Sequence, residues 1–432
     1  MKFLVIDEEG DGVDISLRAQ DAGHEVRYWV PNGLPYGDGM FEKPKDWKPS
    51  MDWAELILIV SNKEADKYAE YFGKGYPIFG TNPKAAKLEL DRGFGQKILK
   101  EYGITTLPYK VVGSADEGVA FIAKTGKAYA MKPWGGNGDK SMTCLGDTPE
   151  DCIFTLQKWK KENVFDGQLM LQEKVEGVEM GISGFFGPGG WLRALEESFE
   201  HKKLMNDEKG PNTGEMGTVI RHVSRSKLFD MVLEPLTDYL HSCRYVGDCS
   251  VNCIIDKRGT PYPLEFTMRL GWPDYAIRQE VIQSDPIEWM VDLLYGRDTL
   301  KVSSATVVGV LIAHGDFPHE CDPKGYWEGF PISGIDEDTY PHLHFQQVKD
   351  GRAPMLMDGK LKEVAATVTA GNYPIVVTGS GGTVSLAAER AYKTVSKIHW
   401  PSYRIFRTDI GGRLEKELPL IQAHGFAEGM EY

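Results

Sequence analysis

The pattern of apolar and polar positions changes character twice along the chain. At the start, short apolar runs alternate with amphipathic stretches. Phe3–Ile6 reads as a strand, Val13–Ala22 as a helix, Glu25–Val30 as a second strand, Leu56–Val60 as a third and Pro77–Phe79 as a fourth. That alternation predicts an open parallel sheet covered by helices. One helix is predicted from Asn82 to Gly103, with Asn82 as its cap, Pro83 in the first turn and Gly103 as its stop. The texture then shifts. Tyr129–Met131 and Ser141–Leu145 predict two strands joined by a glycine-rich loop from Trp134 to Lys140, and Glu200 to Gly217 reads as a second long, glycine- and charge-rich loop. From about Val302 short strands return, with turn signals at Asp350-Gly351, Gly371-Asn372 and Gly379–Gly382 and a last helix over Ser385–Ile398. The pattern divides the chain into an N-terminal α/β domain (1–105), a middle domain (106–300) with a lid subdomain at about 120–180, and a small mixed C-terminal subdomain (301–432).

Composition narrows the function classes. A chain of 432 residues exceeds one ordinary core and suits several packed subdomains. Against 49 Lys+Arg stand 63 Asp+Glu, a net charge of −14, which repels a phosphate backbone and argues against duplex nucleic acid as a direct partner. The six cysteines lack a zinc spacing and read as reduced core thiols. The N-terminus turns acidic after six residues, unlike a signal peptide, and no apolar run reaches the roughly 18 residues of a membrane span. The expectation is a cytoplasmic protein, monomer or homodimer, with small-molecule partners.

Four segments could carry chemistry. Glu9-Gly10-Asp11-Gly12 follows the first strand, but it lacks a third glycine and its acids oppose an anion, so a tight turn is the better reading than a phosphate cradle. The Gly135–Lys140 loop is no Walker A loop. It is either a surface hairpin or a lid over a triphosphate, with Lys132 on the entering strand as a point charge. Leu264–Leu270 alternates strictly, placing Glu265, Thr267 and Arg269 on one face. Such a set could hold Mg²⁺ and neutralise a phosphoryl group, or could be a solvated edge with a cross-strand ion pair. Last, Gly210–Gly217, preceded by His201-Lys202-Lys203, has glycines spaced for close approach to a ligand, or forms a long polar loop.

In this order, these segments resemble the phosphoribosylamine–glycine ligase family of ATP-grasp enzymes. The likeness rests on Phe79-Gly80-Thr81-Asn82-Pro83-Lys84-Ala85-Ala86-Lys87-Leu88-Glu89, on His201-Lys202-Lys203 with Gly210–Gly217, on Glu265–Asp274, and on Gly379–Thr383 with Arg407-Thr408-Asp409-Ile410-Gly411. It implies an ATP-dependent carboxylate–amine ligase acting through an acyl phosphate, with ATP and Mg²⁺ (or Mn²⁺) as cofactors. It also implies roles. Glu173, Val175 and Glu179 resemble the hinge for adenine and ribose; Arg92, Lys132, Gly135, Gly136 and Gly138 would take the phosphates. Glu265, with Thr267 and Asn252, would bind metal, and Arg269 and Lys132 would serve catalysis. His201, Lys202, Asn212, Thr213, Gly214, Trp272 and Asp274 would line the amino-acid and acceptor sites.

The departures are as informative. Thr267 stands where the family has Asn, Arg92 where it has Lys, Glu215 where it has Gly, Glu200 where it has Asp, and Trp272 where it has Asp. The N-terminal loop lacks the family's Gly-Gly-Arg-Glu-His run, and Ser61-Asn62-Lys63-Glu64 replaces its Gly-Pro-Glu. The ATP half is kept and the acceptor half rewritten. Three readings follow: glycinamide ribonucleotide synthesis, the same chemistry on another amine such as a modified nucleotide or nucleobase, and an ATP-binding module without turnover.

Overall fold

The computed structural model describes residues 1–134, 143–163, 168–319 and 327–432, with the backbone alone at 133 and 134. Strands β1 (Lys2–Ile6), β2 (Glu25–Trp29), β3 (Leu56–Ile59) and β4 (Ile78–Phe79) form a parallel sheet in the order β2-β1-β3-β4. All four residues of β3 are buried, as a strand covered on both faces must be. The single helix expected from Asn82 to Gly103 is two, Pro83–Leu90 and Arg92–Glu101. The break is Asp91, which leaves helical geometry (φ −114°, ψ 92°) so that its carboxylate can accept the Phe94 N–H at 2.9 Å and cap the second helix. Asn82 caps the first as expected, accepting the N–H groups of Lys84 and Ala85.

A second, antiparallel sheet follows. It contains β5 (Tyr109–Val112), β6 (Tyr129–Trp134), β7 (Cys144–Leu145) and β8 (Gln168–Glu173) in the order β5-β8-β6-β7. Helices Ala115–Thr125 and Pro149–Glu162 accompany it, each with a capping side chain, Ser114 and Thr148. The glycine-rich loop between β6 and β7 lies outside the described residues, as do the first two residues of the strand expected from Ser141.

The largest sheet is built by β9 (Gly177–Gly187), β10 (Gly190–Trp191), β11 (Leu195–Glu200), β14 (Gly217–Val223), β15 (Gly247–Asp256), β16 (Pro261–Thr267), β17 (Thr306–Ile312), β18 (Leu343–Phe345) and β21 (Ile375–Gly381). Its order is β16-β15-β9-β11-β14-β17-β21-β18, every pair antiparallel, with β10 folded back on β9. Strands after residue 301 thus continue the middle domain's sheet through the β14–β17 pairing. The expected loop from Glu200 to Gly217 is instead a hairpin, β12 (Lys203–Met205) with β13 (Lys209–Asn212). The turn expected at Asp350-Gly351 is the middle of β19 (Val348–Met357), which pairs with β20 (Lys360–Thr369). The chain reverses at Asp358-Gly359, both left-handed (φ 52° and 72°), the geometry a two-residue hairpin needs. Gly379 and Gly381 also lie within a strand, β21, where they let helix Val384–Val395 pack against it without a Cβ between. A final helix, Leu414–Gln422, was not foreseen.

At the centre of the large sheet sits Arg278, 1% exposed. Its guanidinium meets Asp248 at 3.0 Å, donates to Ser183 at 2.7 Å, and contacts Glu196 and Asp274 more closely still. Burial works against the cation, but these carboxylates hold its pKa well above the usual arginine value. Burial in turn raises Asp248 to about 6, against the pull of Arg278. Replacing Arg278 with Met is expected to lower stability by about 3–5 kcal/mol, because it strands buried carboxylates. Urea denaturation checks this; an unchanged midpoint would show that the cluster is not held by its cation.

Candidate functional site

Helix starts, strand faces and the hairpin bring one group of charges together between the β5–β8 sheet and the edge of the large sheet. Glu265 lies on β16 opposite Asn252 of β15. Arg92, first residue of its helix and held there by the Asp91 cap, reaches Glu265 at 3.5 Å. Lys202, just after β11, places its ammonium 3.1 Å from Glu179, 3.1 Å from Glu200 and 3.7 Å from Glu265. Asn252 donates to Glu200 at 2.9 Å, while its own Oδ1 is buried with no donor. From the other sheet comes Lys132 on β6, bonded to Gln172 at 2.8 Å and electrostatically within reach of Glu265, Arg92, Lys202 and Glu179.

Burial and charge shift the two lysines in opposite directions. Burial disfavours the Lys202 cation, yet Glu179, Glu200 and Glu265 overcome it and push its pKa well above normal. Lys132 lacks that much help. Burial dominates, Arg92 and Lys202 add repulsion, and its pKa falls to about 8. A second group adjoins: Glu89, buried in helix Pro83–Leu90, accepts from Asn62 at 2.6 Å and from the Met268 N–H at 2.7 Å, and lies 3.6 Å from Arg269. It steers Arg269, which follows the end of β16 rather than standing on it.

The other expected site residues are placed differently. Glu173 lies at the end of β8, paired with Lys127 at 2.9 Å, and Val175 is half-buried in the link to β9. Glu179 lies apart from that hinge, inside the charge cluster. His201 is fully buried. Its Nε2 accepts the Gly411 N–H at 3.1 Å, and burial lowers its pKa to about 3, so a neutral ring ties the hairpin to the C-terminal segment. Asp274 is likewise committed to Arg278. Asn212 closes the hairpin opposite Lys203, and Thr213 bonds the Lys202 carbonyl through both its N–H (2.8 Å) and its hydroxyl (2.9 Å). Gly214 lies so close to Trp272 that a Cβ would sit 2.8 Å from the indole. Thr267 ends β16 opposite Ser250, and Gly135, Gly136 and Gly138 lie outside the described residues.

Sequence reasoning passed over Glu89, Gln172 and Glu200 as site residues. The available signal was an acid or amide on the inward side of an otherwise apolar element, visible for Glu89 between Leu88 and Leu90.

Residues 90–275 match the family described as phosphoribosylglycinamide synthetase, ATP-grasp (A) domain. Phosphoribosylamine–glycine ligase of Allochromatium vinosum is 27% identical over 360 residues, 81% of this chain and 79% of that protein. The Escherichia coli O157:H7 ligase is 26% identical over 357 residues, 79% of each. The crystal structure of the Thermotoga maritima ligase superposes with a TM-score of 0.71 at 21% identity, covering 95% of this chain and 100% of that one. Over most of its length this chain is similar to phosphoribosylamine–glycine ligases. The wider ATP-grasp fold is shared too: the biotin carboxylase domain of Hydrogenobacter thermophilus 2-oxoglutarate carboxylase, solved with MgADP and bicarbonate, matches with a TM-score of 0.61 at 12% identity, over 100% of this chain and 95% of that one. Among the described residues no helix is long and apolar enough to cross a membrane.

The Lys202 ammonium stands among three carboxylates, those of Glu179, Glu200 and Glu265. Among the described residues no three acidic, His or Cys groups stand as a ready metal site. Lys202→Met is expected to lower the melting temperature in EDTA and to regain more of it than the parent protein on adding millimolar Mg²⁺. Thermal melts with and without the ion check this; equal responses would show that Lys202 does not hold a cation's place.

Proposed function

We propose that the protein is an ATP-dependent carboxylate–amine ligase that forms an amide through an acyl phosphate, with glycine as the carboxylate donor. The relatives' synthesis of glycinamide ribonucleotide in purine biosynthesis is its reference reaction. One observation carries the reading: Lys132 on the β5–β8 sheet and Arg92 at the start of its helix stand within electrostatic reach of Glu265 on the edge strand of the large sheet. That is the arrangement a triphosphate and its counter-ion need from a protein.

The donor set fits a hard divalent cation. Glu265 and Glu200 supply carboxylates, and Asn252 Oδ1 is a buried oxygen with no donor of its own. Bound there, Mg²⁺ would supply charge neutralisation for the transferring phosphoryl group. This chain's own residues do the rest. Lys132 and Arg92 take up negative charge on the phosphates, and Arg269, steered by Glu89, faces the reacting carboxylate. The donor's carboxylate oxygen attacks the γ-phosphorus and ADP leaves. The amine nitrogen then attacks the acyl carbon, and phosphate departs with the C–O electron pair as the amine loses its proton. No side chain bonds covalently to substrate, so rate comes from positioning and charge. Small-molecule partners follow from this reading.

Coupled-assay ADP release in the presence of ATP, glycine, Mg²⁺ and an amine tests the proposal, and Glu265→Ala is expected to reduce it about 100-fold or more. Undiminished release in that variant would remove Glu265 from the mechanism. A pH effect follows from Lys132. Its ammonium is lost as pH rises through about 8, so ATP affinity is expected to weaken between pH 7 and 9. Calorimetric titration across that range checks this, and Lys132→Arg is expected to flatten the profile because guanidinium stays charged.

A further inference from the structure

We propose that the ribbon of β19 and β20 is a dimerisation arm, whose tip seats in an acid-rimmed groove at the root of the same ribbon on a second copy of this chain. At its root the ribbon is tied down. The Asp350 N–H donates to the Asp38 carbonyl at 2.8 Å, and the Ile332 N–H to the Thr367 carbonyl at 3.0 Å. Beyond that point, among the described residues, each strand pairs with the other alone. A two-stranded ribbon is marginal in water unless something covers a face. This one also holds apolar side chains where solvent reaches them. Leu356 is 75% exposed and Leu361 71%, and Met355 and Met357 are exposed beside them. The register sets Leu356 opposite Leu361, so the two leucines form one apolar face of the tip. Met355 opposite Lys362 and Met357 opposite Lys360 form the other. Apolar side chains gathered so closely differ from scattered surface exposure and mark a contact site.

The root supplies a seat of matching character. A groove of about 310 Å³ lies there, with Leu17, Met40, Ile335 and Phe345 among its walls and Asp350 and Thr367 of the ribbon itself beside them. Acids ring it. Asp336, Glu337 and Asp338 directly follow Ile335, and Asp21 accepts the hydroxyl of Tyr340, which also lines the groove, at 2.7 Å. The Thr339 N–H and hydroxyl hold the Asp336 carboxyl below its ordinary pKa, so that acid is charged. The tip is basic by contrast, with Lys360 and Lys362 against Asp358 in a chain of net charge −14. Tip against tip would set lysine beside lysine, whereas tip in groove sets lysine beside carboxylate. A ten-residue strand carries the tip roughly 30 Å from the root at about 3.3 Å per residue, too far to fill the groove of its own chain. A two-fold axis through the middle of two ribbons laid side by side and antiparallel brings each tip to the other's root. Both seats are then filled by one operation, and the contact closes as a dimer rather than extending as a fibre.

Sedimentation velocity of the full chain at micromolar concentration tests the proposal. The parent protein is expected at twice the mass of one chain. Leu356→Glu with Leu361→Glu is expected at the mass of one chain with an unchanged far-ultraviolet circular dichroism spectrum, since both side chains stand in solvent. Lys360→Glu with Lys362→Glu is expected to shift the monomer–dimer midpoint to higher protein concentration, and adding Asp338→Lys with Asp350→Lys to reverse that shift. A chain carrying both Leu356→Cys and Met40→Cys is expected to give a disulfide-linked dimer on a non-reducing gel, while neither single substitution does. A parent chain that sediments as a monomer throughout overturns the proposal and leaves the ribbon to a partner of another kind. A dimer that survives the leucine substitutions, or that yields no cross-link between tip and groove, overturns it as well.

Discussion

The site depends on one electrostatic compromise: the Lys202 ammonium held among Glu179, Glu200 and Glu265 in a partly dry cleft. At an effective dielectric near 20, unit charges about 4 Å apart attract by about 4 kcal/mol, and desolvation of each group offsets much of that. The balance is therefore close. Charges so placed can exchange one partner for another at modest cost, which is what binding and releasing a triphosphate with its counter-ion demands. Lys132 shows the same compromise from the other side. With less help from carboxylates, burial brings its pKa down to about 8.

Arg278 shows how the same chemistry becomes structure when water is removed. It too gathers three carboxylates, but it is 1% exposed, whereas the Lys202 side chain is 28% exposed. Exposure separates a clamp that can re-partner from one that cannot. The Arg278 cluster joins β9, β11, β15 and the helix Asp274–Arg278, so it stiffens the sheet whose edge carries Glu265 and Asn252. A positioning mechanism needs that stiffness, since small misplacements of the reacting groups are costly.

The N-terminal sheet was legible because β1 to β4 are short, apolar and separated by helical periods. The helix from Asn82 was legible only in its ends: Asp91 is polar like any exposed helical residue, and nothing in the pattern announces that it caps a second helix. Hairpins were misread where glycine serves packing rather than turning, as at Gly379, while the real turn at Asp358-Gly359 lay eight residues beyond the one expected. At the site, Lys132, Arg92, Lys202 and Glu265 could be named from motif likeness, and the structure does gather them. His201 and Asp274 sit inside the same motifs but face inward, and a motif records which residues travel together, not which way each side chain turns. Glu89 and Glu200 escaped for the complementary reason, since their partners lie 179 and 52 residues away.

The charge cluster and the loop after β1 stand on different elements. The cluster draws on β6, β15, β16 and the helix at Arg92, while the loop is closed on itself by the Asp7 carboxylate. Arg269 is the joint. It lies against Glu89 of the frame, feels the charges of Asp11 and Glu9, and follows directly from the strand that carries Glu265. A change of charge in the loop after β1 therefore alters the field at Arg269. Glu89 limits that coupling. By accepting from Asn62 and the Met268 N–H while standing beside the guanidinium, it holds Arg269 by contacts that do not involve that loop's acids. A buried carboxylate on a separate helix thus fixes Arg269 from the side away from Asp11 and Glu9 only in part, since Asn62, which orients it, belongs to the segment after β3.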